Sequence, residues 1–443
     1  MNRVLLFLFV GLMLAACARD EVQNPLDNEL QKLLDRRAPG GDRRHFVLPH
    51  ETDYANIPQD PANPLSADKV ALGKMLFFET GLAVDAMKEN GMGTYSCATC
   101  HVPSAGFMPG RIQGIADGGV GFGRNGESRN KLDNYQPEEL DVQGARPLSM
   151  LNVAYVTNST WSGKFGAGNV NEGTEYAWEK EPATEINHLG FQGLESQNME
   201  GLGLHRMLVN KPILDSLGYT GMFDRAFPGM PEEHRYGKMG ASFAISAYLR
   251  SLLTTQAPFQ RWLRGETMAM TDIEKGGALL FYGKAGCYRC HKGPALSSVE
   301  FHALGVKDLF EAGAFATDEN DLRNLGRGGF TGRQEDMFKF KVPQVYNMGD
   351  SPFYFHGSSK RSLHEVVEYF NEAVPENPRV PEENLSPFFH PLDLTDREVE
   401  ELVQFLENGL RDPNLQRYVP QEVLSGNCFP NNDTESRWDL GCK

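Results

Sequence analysis

Apolar residues recur at helical spacing in a few well-separated stretches, and polar, Gly- and Pro-rich chain fills the intervals. From Leu65 to Thr80, Val70, Met75, Leu76 and Phe77 form a buried stripe; Ser66 stands as N-cap and Asp68 lies in the first turn, so a helix is expected there. Met239 to Leu253 reads as a buried helix, and its pattern breaks near Pro258. Thr271 and Glu274 make a capping box that opens another helix. Thr395 and Glu398 repeat that signal before Val399, Leu402, Val403 and Leu406, with Gly409 as the expected C-cap. Strand signals are sparse. The expected fold is mainly α with long loops.

The heptapeptide L-G-K-M-L-F-F at Leu72 to Phe78 is echoed by G-G-A-L-L-F-Y at Gly276 to Tyr282. Each copy leads into a C-x-x-C-H motif: C-A-T-C-H at Cys97 to His101 and C-Y-R-C-H at Cys287 to His291. This motif is the attachment signal for c-type haem, in which two thiols bind the porphyrin edge and the histidine becomes the proximal iron ligand. A redox C-x-x-C would be expected to follow a βαβ pattern, and a zinc site would need ligands gathered from two distant segments. Two covalently held haems are therefore expected, on Cys97, Cys100 and His101 and on Cys287, Cys290 and His291. The duplicated lead-in predicts two cytochrome c-like domains, residues 65–258 and 259–443.

Seven cysteines occur in all. Cys17 ends the L-A-A-C that follows Arg3 and the 11-residue apolar run Val4 to Leu14. That run is too short to span a bilayer, which takes about 20 residues. It resembles a bacterial lipoprotein signal over residues 1–16, with Cys17 carrying lipid and the protein anchored facing the periplasm. Residues 17–64 are polar and read as a tether and wrapping arm. Cys428 and Cys442 remain, and export makes a disulfide between them the expectation.

The net charge of −16, from 43 Lys and Arg against 59 Asp and Glu, argues against nucleic-acid binding, which needs a basic face. It is compatible with steering a small basic protein. Gly121 to Gly126 matches G-x-G-x-x-G but follows no predicted strand, so it is read as a loop.

Further motifs stand in order around the two C-x-x-C-H sites: R-P-L-S-M-L-N from Arg146, W-S-G-K from Trp161, F-Q-R-W-L-R-G-E from Phe259, K-V-P-Q-V-Y-N from Lys341 and F-Y-F-H-G from Phe353. In this arrangement the chain resembles the bacterial di-haem cytochrome c peroxidase and MauG family over roughly residues 65 to 420. The resemblance implies that the N-terminal haem meets peroxide and the C-terminal haem relays electrons. It places Trp161 between the haems, where an indole assists electron transfer, and Glu200 as the distal acid/base group. Gln192 and Gln197 are further candidates for the pocket.

Two departures accompany the resemblance. The family histidine that caps the first haem has no counterpart, since no histidine occurs between His101 and His188; Met108 is a weaker alternative there. The sixth-ligand position of the second haem falls on Phe370, which cannot bind iron, leaving Tyr369, Met337 or Met348. His356 is read as structuring its loop or bonding a propionate. Calcium is a further candidate cofactor, with Asp350 and Ser351 near its loop but the position near Pro147 not preserved. The activity implied is reduction of hydrogen peroxide to water with electrons from a small cytochrome c or cupredoxin. The alternatives are MauG-like oxidation of a protein or organic substrate, and plain electron transfer.

Overall fold

The computed structural model describes residues 24–442, so the apolar run and Cys17 lie outside the described residues. Seven α-helices of nine or more residues carry the described fold: α1 Pro25–Arg37, α2 Ala67–Phe78, α3 Gly193–Leu204, α4 Lys238–Arg250, α5 Asp272–Tyr282, α6 Leu363–Glu372 and α7 Asp396–Gln404. The start signals act as expected. Ser66 Oγ accepts from Lys69 N–H at 3.3 Å, and the Thr271/Glu274 and Thr395/Glu398 boxes are closed at α5 and α7. Past α7 the chain widens into a π-helical turn, Phe405–Gly409, before it leaves the helical path. Pro258 does not simply end a helix; it occupies the first turn of a short one, Pro258–Leu263, where its missing N–H costs nothing. Strand is confined to two antiparallel pairs, β1 Gly119–Val120 with β2 Asn130–Lys131 and β3 Phe301–His302 with β4 Phe340–Lys341.

The sequence echo is a structural one. α2 crosses α4 at Gly73, and α5 crosses α7 at Gly277, the matching position of the repeat. At both crossings the backbones touch: a methyl on Gly73 would lie 1.8 Å from the Ala244 carbonyl oxygen, and one on Gly277 would lie 2.0 Å from that of Glu401. Four residues after each glycine a phenylalanine reaches the histidine of its own motif. The Phe77 and His101 ring centroids are 6.4 Å apart, and those of Phe281 and His291 are 6.3 Å apart. Two hydrophobic cores follow, one around Leu72, Leu76, Phe77 and α4, the other around Phe259, Phe281, Phe405 and α7.

The chain ends cross over between these cores. From residue 24 the segment read as a tether is ordered structure with a core role: α1 buries Leu30 and Leu34 in the second core, and Asp27 accepts from Trp262 Nε1 at 2.6 Å and pairs with Lys275 at 2.8 Å. At the other end, Leu415, Tyr418 and Val423 enter the first core. Asp433 pairs with the buried Arg129 at 3.1 Å, and a disulfide joins Cys428 to Cys442. Leu415 to Val423, on the C-terminal side of the expected division at residue 259, thus pack on the first core. Periodicity reveals which face of an element is apolar, not which core that face enters. The G-x-G-x-x-G stretch is the loop between β1 and β2; its Gly121, Phe122 and Gly123 amides donate to Asp433 and Asp439 of the tail.

Because both helix crossings close on backbone, Gly73→Ala and Gly277→Ala should each lower stability by about 1–3 kcal/mol, the usual cost of overpacking. Denaturant unfolding of the holoprotein measures this. Wild-type midpoints in both variants would refute the close approach.

Candidate functional site

Each motif turns through a short 3₁₀ segment, Cys97–Thr99 and Cys287–Arg289, which brings its histidine back toward the helix that precedes it. His101 Nδ1–H donates to the Phe107 carbonyl at 3.2 Å. His291 Nδ1–H faces the Leu296 and Pro343 carbonyls at 3.1 and 3.0 Å. Burial pushes both imidazoles down to about 4, so at neutral pH both rings are uncharged. A neutral ring held through Nδ1 presents the lone pair of Nε2, which is the state a metal ligand needs. Burial also pushes the thiols of Cys97, Cys100 and Cys287 up to about 12 and that of Cys290 up to about 11.

All six motif residues line one cavity of about 1160 Å³. Ordinary small-ligand pockets run to roughly 300–1,000 Å³. Two buried neutral imidazoles, two thiols beside each and a largely apolar wall fit one haem per motif. Trp161 lines the same cavity; its Nε1–H donates to the Arg146 carbonyl at 2.7 Å, and its ring meets Phe340 and His356 edge-on. His356 stacks on Phe340, with ring centroids 3.6 Å apart, and is tied to Asp308 at 2.9 Å. That pairing agrees with a structuring role for its loop.

α3 supplies another part of the wall. Its orientation is set on the far side by a buried ion pair, Glu195 with Arg250 of α4 at 2.7 Å, reinforced by Asn63. Leu194, Gln197 and Gly201 then face the cavity at three- and four-residue spacing, with His205 just beyond the helix end. Glu200 falls outside that stripe and does not line the cavity. The position of Glu200 therefore departs from the expected distal glutamate, because the packing of α3 on α4 leaves that side chain out of the cavity lining. Gln192 is likewise outside, with its side-chain Oε1 accepting from Arg250 at 3.1 Å.

His205 was not singled out by its sequence. Its Nδ1–H donates to Asp141 at 2.9 Å, and the neighbouring carboxylate raises its pKa above the usual 6.5 against burial and Arg206. Nε2 has no hydrogen-bond partner among the described residues. The histidine lies five positions past Glu200, but its partner is 64 residues away, so no local motif announces the pair.

Around the second motif, α6 presents Leu363, Val366, Val367 and Phe370 to the cavity. Tyr369 turns away, and its hydroxyl donates to the Leu304 carbonyl at 2.6 Å. Met337 lies against Gly328, outside the lining, whereas Met348 and Met108 line the cavity. Of the two side chains near the loop expected for calcium, Asp350 is paired with Arg411 at 2.7 Å and Ser351 Oγ accepts from Arg146 at 3.0 Å.

Fold and donor set together define a helical two-haem oxidoreductase. Residues 67–268 match the family model described as di-haem cytochrome c peroxidase. The chain is 29% identical over 360 residues to the methylamine utilization protein MauG of Methylorubrum extorquens, covering 81% of this chain and 82% of that protein. It is 26% identical over 371 residues to the cytochrome-c peroxidase IdrP1 of Denitromonas iodatirespirans, covering 79% and 84%. Among solved structures, a MauG-like protein associated with microbial copper homeostasis superimposes with a TM-score of 0.55 at 23% identity, covering 83% of this chain and 95% of that one. The diheme peroxidase BthA of Burkholderia thailandensis gives 0.51 at 17% identity, covering 81% and 89%. Over residues 67–268 the chain thus matches the di-haem cytochrome c peroxidase family, and its relatives include both MauG and cytochrome c peroxidases. The expected class, mainly α with two cytochrome c-like domains, holds.

Replacing Arg250 by Met leaves the Glu195 carboxylate buried without its cation. Breaking such a pair costs about 3–5 kcal/mol, and equilibrium unfolding of Arg250→Met should show a loss of that size. A loss under about 1 kcal/mol would mean that α3 is held by other contacts.

Proposed function

We infer that the protein is a di-haem c-type peroxidase. It would reduce hydrogen peroxide to water by the balance H₂O₂ + 2 H⁺ + 2 e⁻ → 2 H₂O, with the electrons supplied by a small cytochrome c or cupredoxin. The observation that carries this reading is the single cavity shared by both C-x-x-C-H motifs, with a carboxylate-held histidine on its wall. Relatives named cytochrome c peroxidase support it. Bound haem supplies the redox chemistry. The protein residues then divide the remaining work. Cys97 and Cys100, and Cys287 and Cys290, are the thioether anchors; His101 and His291 are the proximal ligands. Trp161 is the aromatic link between the two sites.

His205, rather than Glu200, is the acid/base group of this reading. Nε2 can take a proton from peroxide and return one to the departing oxygen, while Asp141 holds the ring in place and stabilises the charged form. His205→Gln should lower kcat/KM for peroxide by about 10²–10⁴-fold, while Glu200→Gln stays near wild type; steady-state oxidation of a reduced donor cytochrome measures both. Equal losses in the two variants, or none in His205→Gln, would remove His205 from the reaction. The pH dependence has a definite sign. Asp141 raises the His205 pKa, whereas Arg206 and burial lower it. Protonation disables the base, so kcat/KM falls as pH drops through that raised value. Asp141→Asn withdraws the stabilising charge and should move the acid limb to lower pH.

The segment after the first motif contributes Met108 and no imidazole to the lining. This favours, as a second reading, MauG-like peroxide-dependent oxidation of a protein or organic substrate. Two donor molecules oxidised per peroxide support the peroxidase; peroxide consumed without donor oxidation supports the other.

A periplasm-facing position with lipid on Cys17 is part of the proposal, supported by the L-A-A-C sequence at the end of the apolar run. No helix among the described residues is long and apolar enough to cross a membrane. Cys17→Ser should shift the protein from the membrane pellet to the soluble fraction, and an unchanged pellet would refute lipidation there.

A further inference from the structure

Among the described residues two lysines are almost fully buried, and they differ in one respect. Lys275, 2% exposed, has its ammonium on Asp27. Lys341, 3% exposed, lines the cavity, and its Nζ has no hydrogen-bond partner or ion pair among the described residues. Burial pushes it down to about 8, which still leaves it mostly charged at neutral pH. An isolated buried cation is unfavourable unless an anion meets it.

The cavity's own carboxylates are already engaged. Asp141 is held by His205, Glu181 by Lys164, Asp308 by His356 and Asp321 by Arg323. The counter-charge for Lys341 must come from whatever fills the cavity. Lys341 lies on β4, its backbone N–H donates to the Trp161 carbonyl at 2.8 Å, and Pro343, two residues on, offers its carbonyl to His291 Nδ1–H. The backbone of this strand thus ties Lys341 to Trp161 and, two residues on, to the histidine of the second motif.

We propose that Lys341 is a carboxylate-binding residue of the cavity wall whose ligand is a propionate of the haem at His291. It acts as a positioning residue: it anchors that haem edge beside Trp161 and neutralises its negative charge. The proposal rests on the two-haem reading of the site. A free carboxylate substrate would present the same chemistry, so the test separates the two sources.

Lys341→Met, Lys341→Gln and Lys341→Arg are prepared as full-chain holoprotein. Resonance Raman reads the propionate bending bands, and spectroelectrochemistry reads the midpoint potential of each haem. In Lys341→Met one haem should show a shifted propionate band and a lower potential, because an uncompensated propionate stabilises ferric iron; the other haem should not change. Lys341→Gln keeps a hydrogen-bond donor and should lower the potential with a smaller band shift, and Lys341→Arg should restore both. Should Lys341→Met not fold, Lys341→Gln alone decides. Unchanged bands and potentials with both haems attached overturn the proposal. So does a wild-type spectrum that moves on adding benzoate while the Lys341→Gln spectrum does not, which would assign the ammonium to a free carboxylate. Peroxide turnover is measured on the same samples. Its absence from wild type, with the Lys341 shifts present, removes the peroxidase reading and leaves the propionate site standing. A wild-type chain without haem overturns both.

Discussion

An imidazole can hold iron only as a neutral ring with one nitrogen free and aimed, and the rest of this structure serves that requirement twice. His101 and His291 are each buried deeply enough to stay uncharged and are each held through Nδ1 by backbone carbonyls. The burial comes from α2 and α5, whose phenylalanines lie against the two rings. Those helices in turn sit where they do because Gly73 and Gly277 let them close on α4 and α7 at backbone contact. Glycine is needed there for the absence of a side chain, not for an unusual backbone angle.

The exchange of chain ends gives this arrangement its rigidity. α1 belongs to the second core and the tail after Leu415 to the first, so neither core is completed by a contiguous stretch of chain. Separating the two halves would expose Leu30 and Leu34 on one side and Tyr418 and Val423 on the other. A cavity lined from both halves depends on that cohesion. The buried Glu195–Arg250 pair plays a local version of the same part, fixing which face of α3 meets the cavity.

Charge inside the cavity is organised against the character of the whole chain. The protein carries a net −16, yet each carboxylate on the cavity wall is matched by a cationic or imidazole partner. Lys341 stands apart from this pairing, and His205 has one nitrogen committed and one uncommitted. These two side chains therefore have electrostatic capacity to spare for what the cavity holds. They lie 136 residues apart in the chain and line one cavity only through the fold.

Much of the protein was legible in order along the chain. The two C-x-x-C-H motifs carry their chemistry in contiguous residues, the capping boxes at Thr271 and Thr395 act within one helical turn, and the repeat around Gly73 and Gly277 marks equivalent helices because both perform the same local task. What escaped depends on rotation and on distance. Glu200 and His205 occupy nearby positions, and only the packing of α3 on α4 decides that the histidine, not the glutamate, meets the cavity. Tyr369 and Phe370 are adjacent, and the contact of the Tyr369 hydroxyl with Leu304 turns the phenylalanine inward. The crossing of the termini was hidden for a related reason: an apolar face can be read from its periodicity, but its destination is chosen by the shape of the surface that receives it. Local order was settled by bonds within a turn or two; the site was settled by residues tens to hundreds of positions apart that only compaction brings together.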